Sequence, residues 1–390
     1  MTWRFRGLLS IAQTRPSLPR RVSTPFRQGG VIDPTMKLDA IQFFTNTSMM
    51  LSMVFIPLLA EDLGASYMQI GIIMSVYGLC LGVSSYMFSK AADAWNIKRL
   101  LLAGLACSAA AYLLQAFADD PLTLGLARGL LGIAIGMYPA ALIMHVYGMK
   151  RSISKFISFC ALGWAAGFIG AAIIGDYDLI FAASSALVAL SFVIALTLPE
   201  VKVKRLNVSY LSLDTVRANW AVYVPFLLRH AGATAVWTIF PLYMASLEAD
   251  KFWIAAIYAI NPLMQFFMMR RLENKDMVSI VKYGYLVSSI AFLSFIPPTI
   301  FYYVIPGMVL VALSWSFLYV GSTELLLRRN EDKAASAGLI TTVISLASVA
   351  GSLIGGAVSQ YHGFVAVLVV GAVMCFAGFL ISAKYLTRTC

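Results

Sequence analysis

Twelve apolar stretches of about 20 residues recur along this chain, each long enough to cross a hydrocarbon core of ~30 Å as a helix. A bilayer offers no water to the backbone, so a spanning segment must form its hydrogen bonds internally, as a helix does. We number the segments span 1 to span 12; they cover residues 38–60, 68–90, 99–117, 121–147, 155–175, 178–198, 220–246, 252–270, 277–298, 303–327, 335–359 and 363–386. The pattern predicts an all-α membrane protein with 12 transmembrane helices.

Composition supports the membrane assignment. Hydrophobic residues make up 60% of the chain and charged residues 12%, a charged fraction about half that of an ordinary soluble domain. A soluble protein cannot bury that much apolar surface. Four of the five cysteines lie inside apolar runs and are predicted to be small buried side chains, and the three histidines lack ligand-like spacing. We therefore predict no metal site.

The basic residues indicate the topology. All but three of the 29 Lys and Arg residues fall in the N-terminal tail, in alternate loops or at the C-terminus. By the positive-inside rule these segments are cytoplasmic, which places both termini inside and predicts a multi-pass protein of the plasma membrane. Lys251 is the one basic residue in an outer loop. Arg128 and Arg229 fall inside spans.

An internal repeat divides the chain. Residues 57–79 align without gaps on 241–263 at an offset of 184, and the same offset brings Gly167 onto Gly351. Two segments that agree on one offset predict two pseudo-symmetric six-helix halves of the same topology, as in one large class of carriers. We place the halves at residues 36–198 and 220–390, joined by a cytoplasmic linker at 199–219.

Residues 1–35 stand apart from the spans. They are rich in arginine, and the first acidic residue is Asp33. This composition is also typical of an organellar transit peptide. We interpret the segment as a disordered basic tail, or as an extension before a start at Met36.

Two short motifs resemble those of a known transporter family. Between spans 2 and 3, Asp93 and Lys98 occupy their places in the pattern Gly-x-x-x-Asp-Arg-x-Gly-Arg-(Arg/Lys), although the other positions differ. In span 4, Arg128 and Gly132 match the pattern Arg-x-x-x-Gly. Both patterns belong to the major facilitator superfamily of secondary transporters, which this chain resembles over residues 36–390.

Span 5 extends the resemblance. Gly163 and Gly167 follow the Gly-x-x-x-Gly-Pro pattern of antiporters in this family, with Phe168 in place of the proline. We expect these glycines, and Gly351 in span 11, to permit close helix contact. The resemblance also implies a gating role for Asp93 and Lys98, which look like an inner latch whose glycine and arginine are missing here.

The resemblance implies that spans 1, 4, 7 and 10 line a central cavity. Arg128 and Arg229 fall on two of these spans, and Arg229 lies ~12 Å deep at 1.5 Å per residue. An arginine at the bilayer centre costs about 2.5–3.5 kcal/mol, so each should face protein or water. Arg128 can equally serve a structural role. The predicted substrate-binding residues are Arg128, Arg229, His230, Asn46, Tyr138, Trp237, Trp315 and Tyr319.

Three side chains are candidates to carry a coupling proton. These are Asp39 at the inner start of span 1, His230 in span 7 and Glu324 near the inner end of span 10. Histidine changes charge near physiological pH, although His230 can also be a hydrogen-bonded structural residue. Glu324 can instead pair with the basic inner loops. Two arginines without a central carboxylate favour an anionic solute, since guanidinium binds carboxylates in bidentate fashion.

These features predict a secondary transporter that moves a small solute by alternating access, with an organic anion or amphipathic compound favoured and proton coupling open. The alternatives are a proton-antiport efflux pump, a membrane enzyme acting on lipid-borne substrates, and a non-transporting sensor on a carrier fold. The absence of a GxxxxGK[ST] pattern argues against ATP-driven transport, and we expect no bound cofactor. The expected partners are the solute, protons and the bilayer, without nucleic acid, for a monomeric protein.

Overall fold

The computed structural model describes residues 33–94, 96–149, 153–201, 213–269, 271–272, 275–330 and 333–386. The predicted N-terminal tail lies outside these residues, except for its last three positions. Two of those three, Pro34 and Thr35, already belong to the first helix. Most of the predicted linker also lies outside the described residues, but Leu213–Ala218 forms a short helix. No strand occurs in the described part of the chain.

Each predicted span coincides with a helix or a pair of helices. The first six spans correspond to Pro34–Met53 with Ile56–Asp62, Tyr67–Ala94, Ile97–Leu114, Pro121–Met137 with Pro139–Gly148, Ile153–Ile174 and Tyr177–Leu196. The last six correspond to Trp220–Ser246, Lys251–Met269, Met277–Leu293, Ile305–Arg329 and the run Lys333–Tyr385, which holds spans 11 and 12. Short 3-10 helices at Gln115–Phe117 and Phe301–Val304 end span 3 and precede span 10.

Proline and glycine explain where the helices break. Pro57 and Pro139 cannot donate a backbone hydrogen bond, and the helices of spans 1 and 4 are interrupted just before them. Gly363 separates spans 11 and 12 with φ +77°, a left-handed conformation that favours glycine. The sequence prediction had placed this boundary between residues 359 and 363.

Eight helical segments among the described residues are long and apolar enough to cross a membrane by length and composition. One of them, Leu339–Tyr385, contains both spans 11 and 12. Two shorter apolar helices, Ser158–Ile174 and Met277–Leu293, lie in spans 5 and 9. Span 7 is a continuous 27-residue helix that carries Arg229 and His230 within its apolar sequence.

The outer surface of span 4 shows how the helices face lipid. Leu122, Leu126, Leu130 and Ile133 are all exposed and form one stripe at helical spacing. Arg128 lies on the opposite side of the same helix and is buried. In water such a stripe would be a large apolar patch, whereas lipid tails solvate it without cost.

The repeat seen in the sequence reappears as a repeated helix contact. Gly167 in span 5 lies so close to span 1 that an added Cβ would be 2.6 Å from the Thr47 carbonyl oxygen. In the other half, an added Cβ on Gly351 would meet the Ala231 carbonyl oxygen in span 7. Both partners of the second pair follow those of the first by the same 184 positions. The two six-helix halves therefore share this packing.

The halves meet along two seams, between spans 2 and 11 and between spans 5 and 8. In the first seam the Ser75 hydroxyl donates to the Val349 carbonyl oxygen at 2.7 Å. At the end predicted to be outside, the Tyr67 and Phe364 rings lie 5.1 Å apart. Lys251, the basic residue of the outer loops, lies with its Nζ 3.4 Å from the centre of the Tyr177 ring in the other half. These contacts join the ends of the two halves that are predicted to be outside.

Close packing at Gly167 predicts a sharp stability effect. In Gly167→Ala the new methyl group would press against the backbone of span 1, and overpacking of this kind typically costs about 1–3 kcal/mol. We expect a lower melting temperature in detergent, measured by size-exclusion chromatography after heating. Gly125→Ala is the matched control, since its Cβ would meet the Ile73 side chain at an ordinary 3.5 Å. Equal melting of the two variants would contradict the packing argument.

Candidate functional site

A cavity of about 370 Å³ lies between the two halves. Its lining comes from spans 1, 2, 5, 7, 8, 10 and 11, and span 4 contributes no lining residue. The resemblance had implied spans 1, 4, 7 and 10. The volume falls within the range of about 300–1,000 Å³ typical of small-molecule sites. The cavity therefore has the size of a binding site for a small organic solute.

Arg229 brings a positive charge to the cavity wall. Its Nε donates to the Ser288 hydroxyl at 2.9 Å and its Nη2 to the Ser314 hydroxyl at 3.3 Å, which ties span 7 to spans 9 and 10. Its guanidinium carbon lies 5.1 Å from the centre of the Trp315 ring, within range of a cation–π interaction. The third guanidinium nitrogen, Nη1, donates to neither serine. Both hydroxyls are neutral, so these contacts leave the charge of Arg229 uncompensated.

His230 lies next to this arginine and also lines the cavity. Its Nε2 is 3.3 Å from the Ser348 hydroxyl, whose single hydrogen points to the Ile344 carbonyl oxygen at 2.8 Å. With the serine hydrogen on Ile344, the tautomer that fits is the one in which Nε2–H donates to the serine oxygen and Nδ1 is the acceptor nitrogen. Nδ1 has no hydrogen-bond partner among the described residues. Nδ1 is therefore an unpaired nitrogen that is also buried from solvent.

Aromatic rings frame this pair. The His230 ring stacks on Phe226 and lies 5.3 Å from Trp315. Trp315 in turn stacks on Tyr319 at 5.4 Å, as their spacing of four residues suggests. Trp315 lines the cavity, whereas Tyr319 lies outside the lining and is 37% exposed.

Prolines on the lining change the local hydrogen bonding. Pro241 has no N–H, so the helix leaves the Trp237 carbonyl oxygen, four residues earlier, without its usual partner. The Tyr258 hydroxyl from span 8 approaches this oxygen at 3.5 Å, and all three residues line the cavity. The carbonyl oxygen that loses its partner within the helix of span 7 is therefore approached by a hydroxyl group of span 8.

The N-terminal half supplies a softer wall. Met49, Met50 and Met53 in span 1 and Met74 in span 2 line the cavity together with aromatic residues of span 5. Methionine side chains are flexible and polarisable, and they adapt to ligands of different shape. Asn46 lies outside the lining, but its Oδ1 accepts from Trp164 Nε1 at 3.0 Å and so orients a ring that does line the cavity.

Arg128 is buried in the N-terminal half, outside the set of lining residues. Its guanidinium carbon lies 4.0 Å from the centre of the Tyr77 ring, and its Nη1 donates to Gln115 Oε1 at 3.3 Å. Tyr77 itself lines the cavity. Gly132, one turn after Arg128, lets span 4 approach the Tyr77 backbone, since an added Cβ would be 2.6 Å from the Tyr77 carbonyl oxygen. The Arg-x-x-x-Gly motif thus packs span 4 on span 2.

The structure brings four predicted substrate-binding residues together on the lining, namely Arg229, His230, Trp237 and Trp315. Tyr138 is buried against span 3 beside Gly104, away from the cavity. The other predicted residues that lie outside the lining are Arg128, Asn46 and Tyr319.

Of the proton candidates, only His230 lines the cavity. Glu324 pairs with Arg328, whose Nε is 2.9 Å from the carboxylate, near the inner end of span 10. Asp39 is buried near the start of span 1. No Asp or Glu is found among the described lining residues, so the cavity carries the positive charge of Arg229 without an acidic counterpart.

Of the predicted gating residues, Lys98 has a defined contact. Its Nζ donates to the carbonyl oxygens of Leu196 and Leu198 at 2.8 and 2.6 Å, which caps the end of span 6. Asp93 lies in the helix of span 2, and its side chain lies outside the described residues. Gly163, like Gly167, lies directly against the backbone of span 1.

Sequence reasoning missed the lining residues of spans 2, 5, 8 and 11. They include Tyr77, Trp164, Tyr258, Gln265 and Ser348. A signal for span 8 was available. Asn261 and Gln265 stand one turn apart within an otherwise apolar helix, and Gln265 Nε2 donates to Asn261 Oδ1 at 2.7 Å. A polar pair of this kind has to face away from lipid.

Solved structures share this fold. The nucleoside transporter NupG superposes with a TM-score of 0.77 at 14% identity, covering 91% of this chain and 100% of that protein. The human organic anion transporter MFSD10 (TETRAN) gives 0.68 at 14% identity, covering 89% and 98%. An auto-inhibited peptide transporter of the POT family gives 0.72 at 11% identity, covering 92% and 97%. At these identities the likeness concerns the fold.

A curated relative is more similar over a shorter stretch. The multi-drug resistance efflux pump PmrA homolog of Lactococcus lactis subsp. lactis (strain IL1403) is 30% identical over 108 residues. That match spans 27% of this chain and 27% of the relative's length. The family profile described as Major Facilitator Superfamily matches residues 38–343. This multi-pass membrane protein therefore belongs to the Major Facilitator Superfamily of secondary transporters.

Proposed function

We propose that this protein is a plasma-membrane carrier that moves an amphipathic organic anion by alternating access. The observation that carries the proposal is the charge of the cavity. Arg229 lines it, is bound by neutral serines and meets no carboxylate among the described lining residues. A solute with an acidic group would supply the missing negative charge.

The rest of the lining favours an amphipathic cargo. Trp315 and Trp237 give flat apolar surfaces beside the charge, and the methionines of spans 1 and 2 form the adaptable wall. An aromatic or alkyl body can pack there while its acidic group reaches Arg229. Guanidinium binds a carboxylate in a planar, bidentate arrangement, but two of its nitrogens already hold serines here. We infer that Nη1 makes the direct contact.

We further propose that His230 couples transport to protons through Nδ1. Proton binding there would add a second positive charge beside Arg229 and would strengthen the attraction for an anion. Loss of the proton would weaken that attraction on the other side of the membrane. Anion and proton would then move together in one direction.

Proton-exchange efflux of drug-like compounds is the second candidate. The methionine wall favours varied ligands, and the stretch of 30% identity is shared with a protein described as a multi-drug resistance efflux pump. The two candidates differ in the direction of the proton relative to the solute. Proteoliposomes with a pH gradient of either sign distinguish them.

Arg229→Met should remove the preference for anions. A charge-assisted hydrogen bond contributes about 1.5–3 kcal/mol, so wild type should bind an arylalkyl carboxylate roughly tenfold to a hundredfold more tightly than its neutral amide. In Arg229→Met the two ligands should bind alike. Thermal-shift titration of the purified protein measures both affinities.

Two further variants test the same claim. Arg229→Lys keeps the charge and should keep part of the preference. Lys384→Met removes one positive charge from an exposed position of the same half and should leave the preference unchanged. An Arg229→Met protein that still prefers the carboxylate would refute the assignment.

His230→Gln should separate transport from proton coupling. Glutamine can keep a hydrogen bond to Ser348 but cannot bind a proton near neutral pH. We expect exchange of labelled for unlabelled solute to persist in proteoliposomes, while accumulation driven by a pH gradient disappears. Glu324→Gln and Asp39→Asn are the controls for the other two candidates and should retain accumulation. Normal accumulation by His230→Gln would exclude this role.

A further inference from the structure

A second cluster of polar side chains lies in the N-terminal half, next to the cavity and separate from its lining. We call it the Arg128 cluster; it comprises Tyr77, Ser108, Tyr112, Gln115 and Arg128. Ser108, Tyr112 and Gln115 follow one another at helical spacing on one face of span 3. Gln115 binds Arg128, and Tyr77 covers it. All five side chains are at least nine-tenths buried.

The cluster holds an unusual surplus of unpaired donors. Arg128 Nε and Nη2, Gln115 Nε2 and the Ser108 hydroxyl have no hydrogen-bond partner among the described residues. A buried polar group left unpaired costs about 1–3 kcal/mol, and more when it is charged. The three nitrogens can only donate, and the Ser108 hydroxyl can donate as well. Such a set is complementary to an acceptor with negative charge.

Tyr77 forms the wall between this cluster and the cavity. One side of its ring stacks on the Arg128 guanidinium at 4.0 Å, and the same residue lines the cavity. Tyr77 thus contacts the buried guanidinium and also borders the cavity. No ion pair of Arg128 is found in the described part of the chain, and its guanidinium contacts the Tyr77 ring and Gln115.

We propose that Arg128 is a second, concealed contact for the acidic group of the cargo, and that Tyr77 is the side chain that covers and uncovers it. In the present conformation Arg229, and not Arg128, is among the described residues that line the cavity. When the Tyr77 ring swings away, a carboxylate in the cavity can reach Arg128 and the free donors around it. The N-terminal half then binds the charge that the C-terminal half binds here.

This inference rests on the proposed function, because it assigns the same anionic cargo to a second contact. A contact in each half also gives a physical reason for the solute to move from one half to the other. Each arginine attracts the acidic group, and the position of the Tyr77 ring decides whether Arg128 competes with Arg229. A carrier with both contacts always open would hold its anion too tightly to release it.

Chemical labelling of Arg128 tests the cover. Phenylglyoxal modifies accessible guanidinium groups, and peptide mass spectrometry resolves Arg128 from the other arginines. In the purified wild-type protein we expect slow modification, because a covered group reacts only through its open population, and in Tyr77→Ala modification roughly tenfold faster or more. Tyr77→Phe retains the ring and is the matched control, with labelling as slow as in wild type. Equal rates in Tyr77→Ala and wild type would overturn the cover.

Protection from labelling tests the anion contact. In Tyr77→Ala the arylalkyl carboxylate should slow the modification of Arg128, whereas its neutral amide and chloride should not. Protection by chloride alone would indicate a small-ion site and would overturn the contact with cargo. Equal protection by carboxylate and amide would do the same.

The affinity and labelling experiments distinguish failure of the concealed contact from failure of the proposed function. Arg229→Met tests the proposed function by affinity, whereas the labelling rate of Arg128 is read without any solute. Loss of carboxylate preference in Arg229→Met, with Arg128 unreactive in Tyr77→Ala, would overturn only the concealed contact. If Tyr77→Ala does not fold, Tyr77→Leu keeps apolar volume without a flat ring and should show the same faster labelling.

Discussion

Hydrocarbon offers no hydrogen bonds and solvates no charge, and the arrangement of polar groups in this protein follows from that constraint. Each span is helical because the backbone must bond to itself. Where proline removes a donor inside span 7, a tyrosine hydroxyl from span 8 approaches the carbonyl oxygen that was freed. The polar side chains that remain in the spans lie in the seams, the cavity or the cores of the two halves.

The two arginines within the spans offset the free-energy cost of a charge in the membrane in two different ways. Arg229 is held by two serine hydroxyls and an indole ring, and it is one of the residues that line the cavity, with 2% of its surface exposed. Arg128 is held by a tyrosine ring and one amide, with unpaired donors left around it. Under the proposed function, neutral partners stabilise these charges without competing for them with an anionic solute, as a carboxylate partner would.

Small residues determine how close the helices come, and aromatic residues determine what fills the space that remains. Gly167 and Gly351 bring spans 5 and 11 against spans 1 and 7 at equivalent places in the two halves. The lining differs between the halves despite this shared packing. Span 7 contributes charge and indole, whereas span 1 contributes methionines. The common frame thus encloses a cavity with an asymmetric lining, with the charge on one side and the methionines on the other.

The sequence by itself determined the approximate spans, a boundary between residues 359 and 363, the repeat with its glycines and the position of two charges within the spans. The length and hydropathy of a segment are local properties, and the repeat offset follows from comparing two segments of the sequence. None of these depends on how the helices pack. Only the tertiary structure decided which side chains line the cavity. It placed Tyr138 and Arg128 behind the wall and brought in Tyr77, Trp164, Tyr258 and Ser348. The physical reason is that lipid and protein interior are equally apolar, so a hydrophobic helix face carries no mark of whether it meets lipid, a neighbouring helix or a solute.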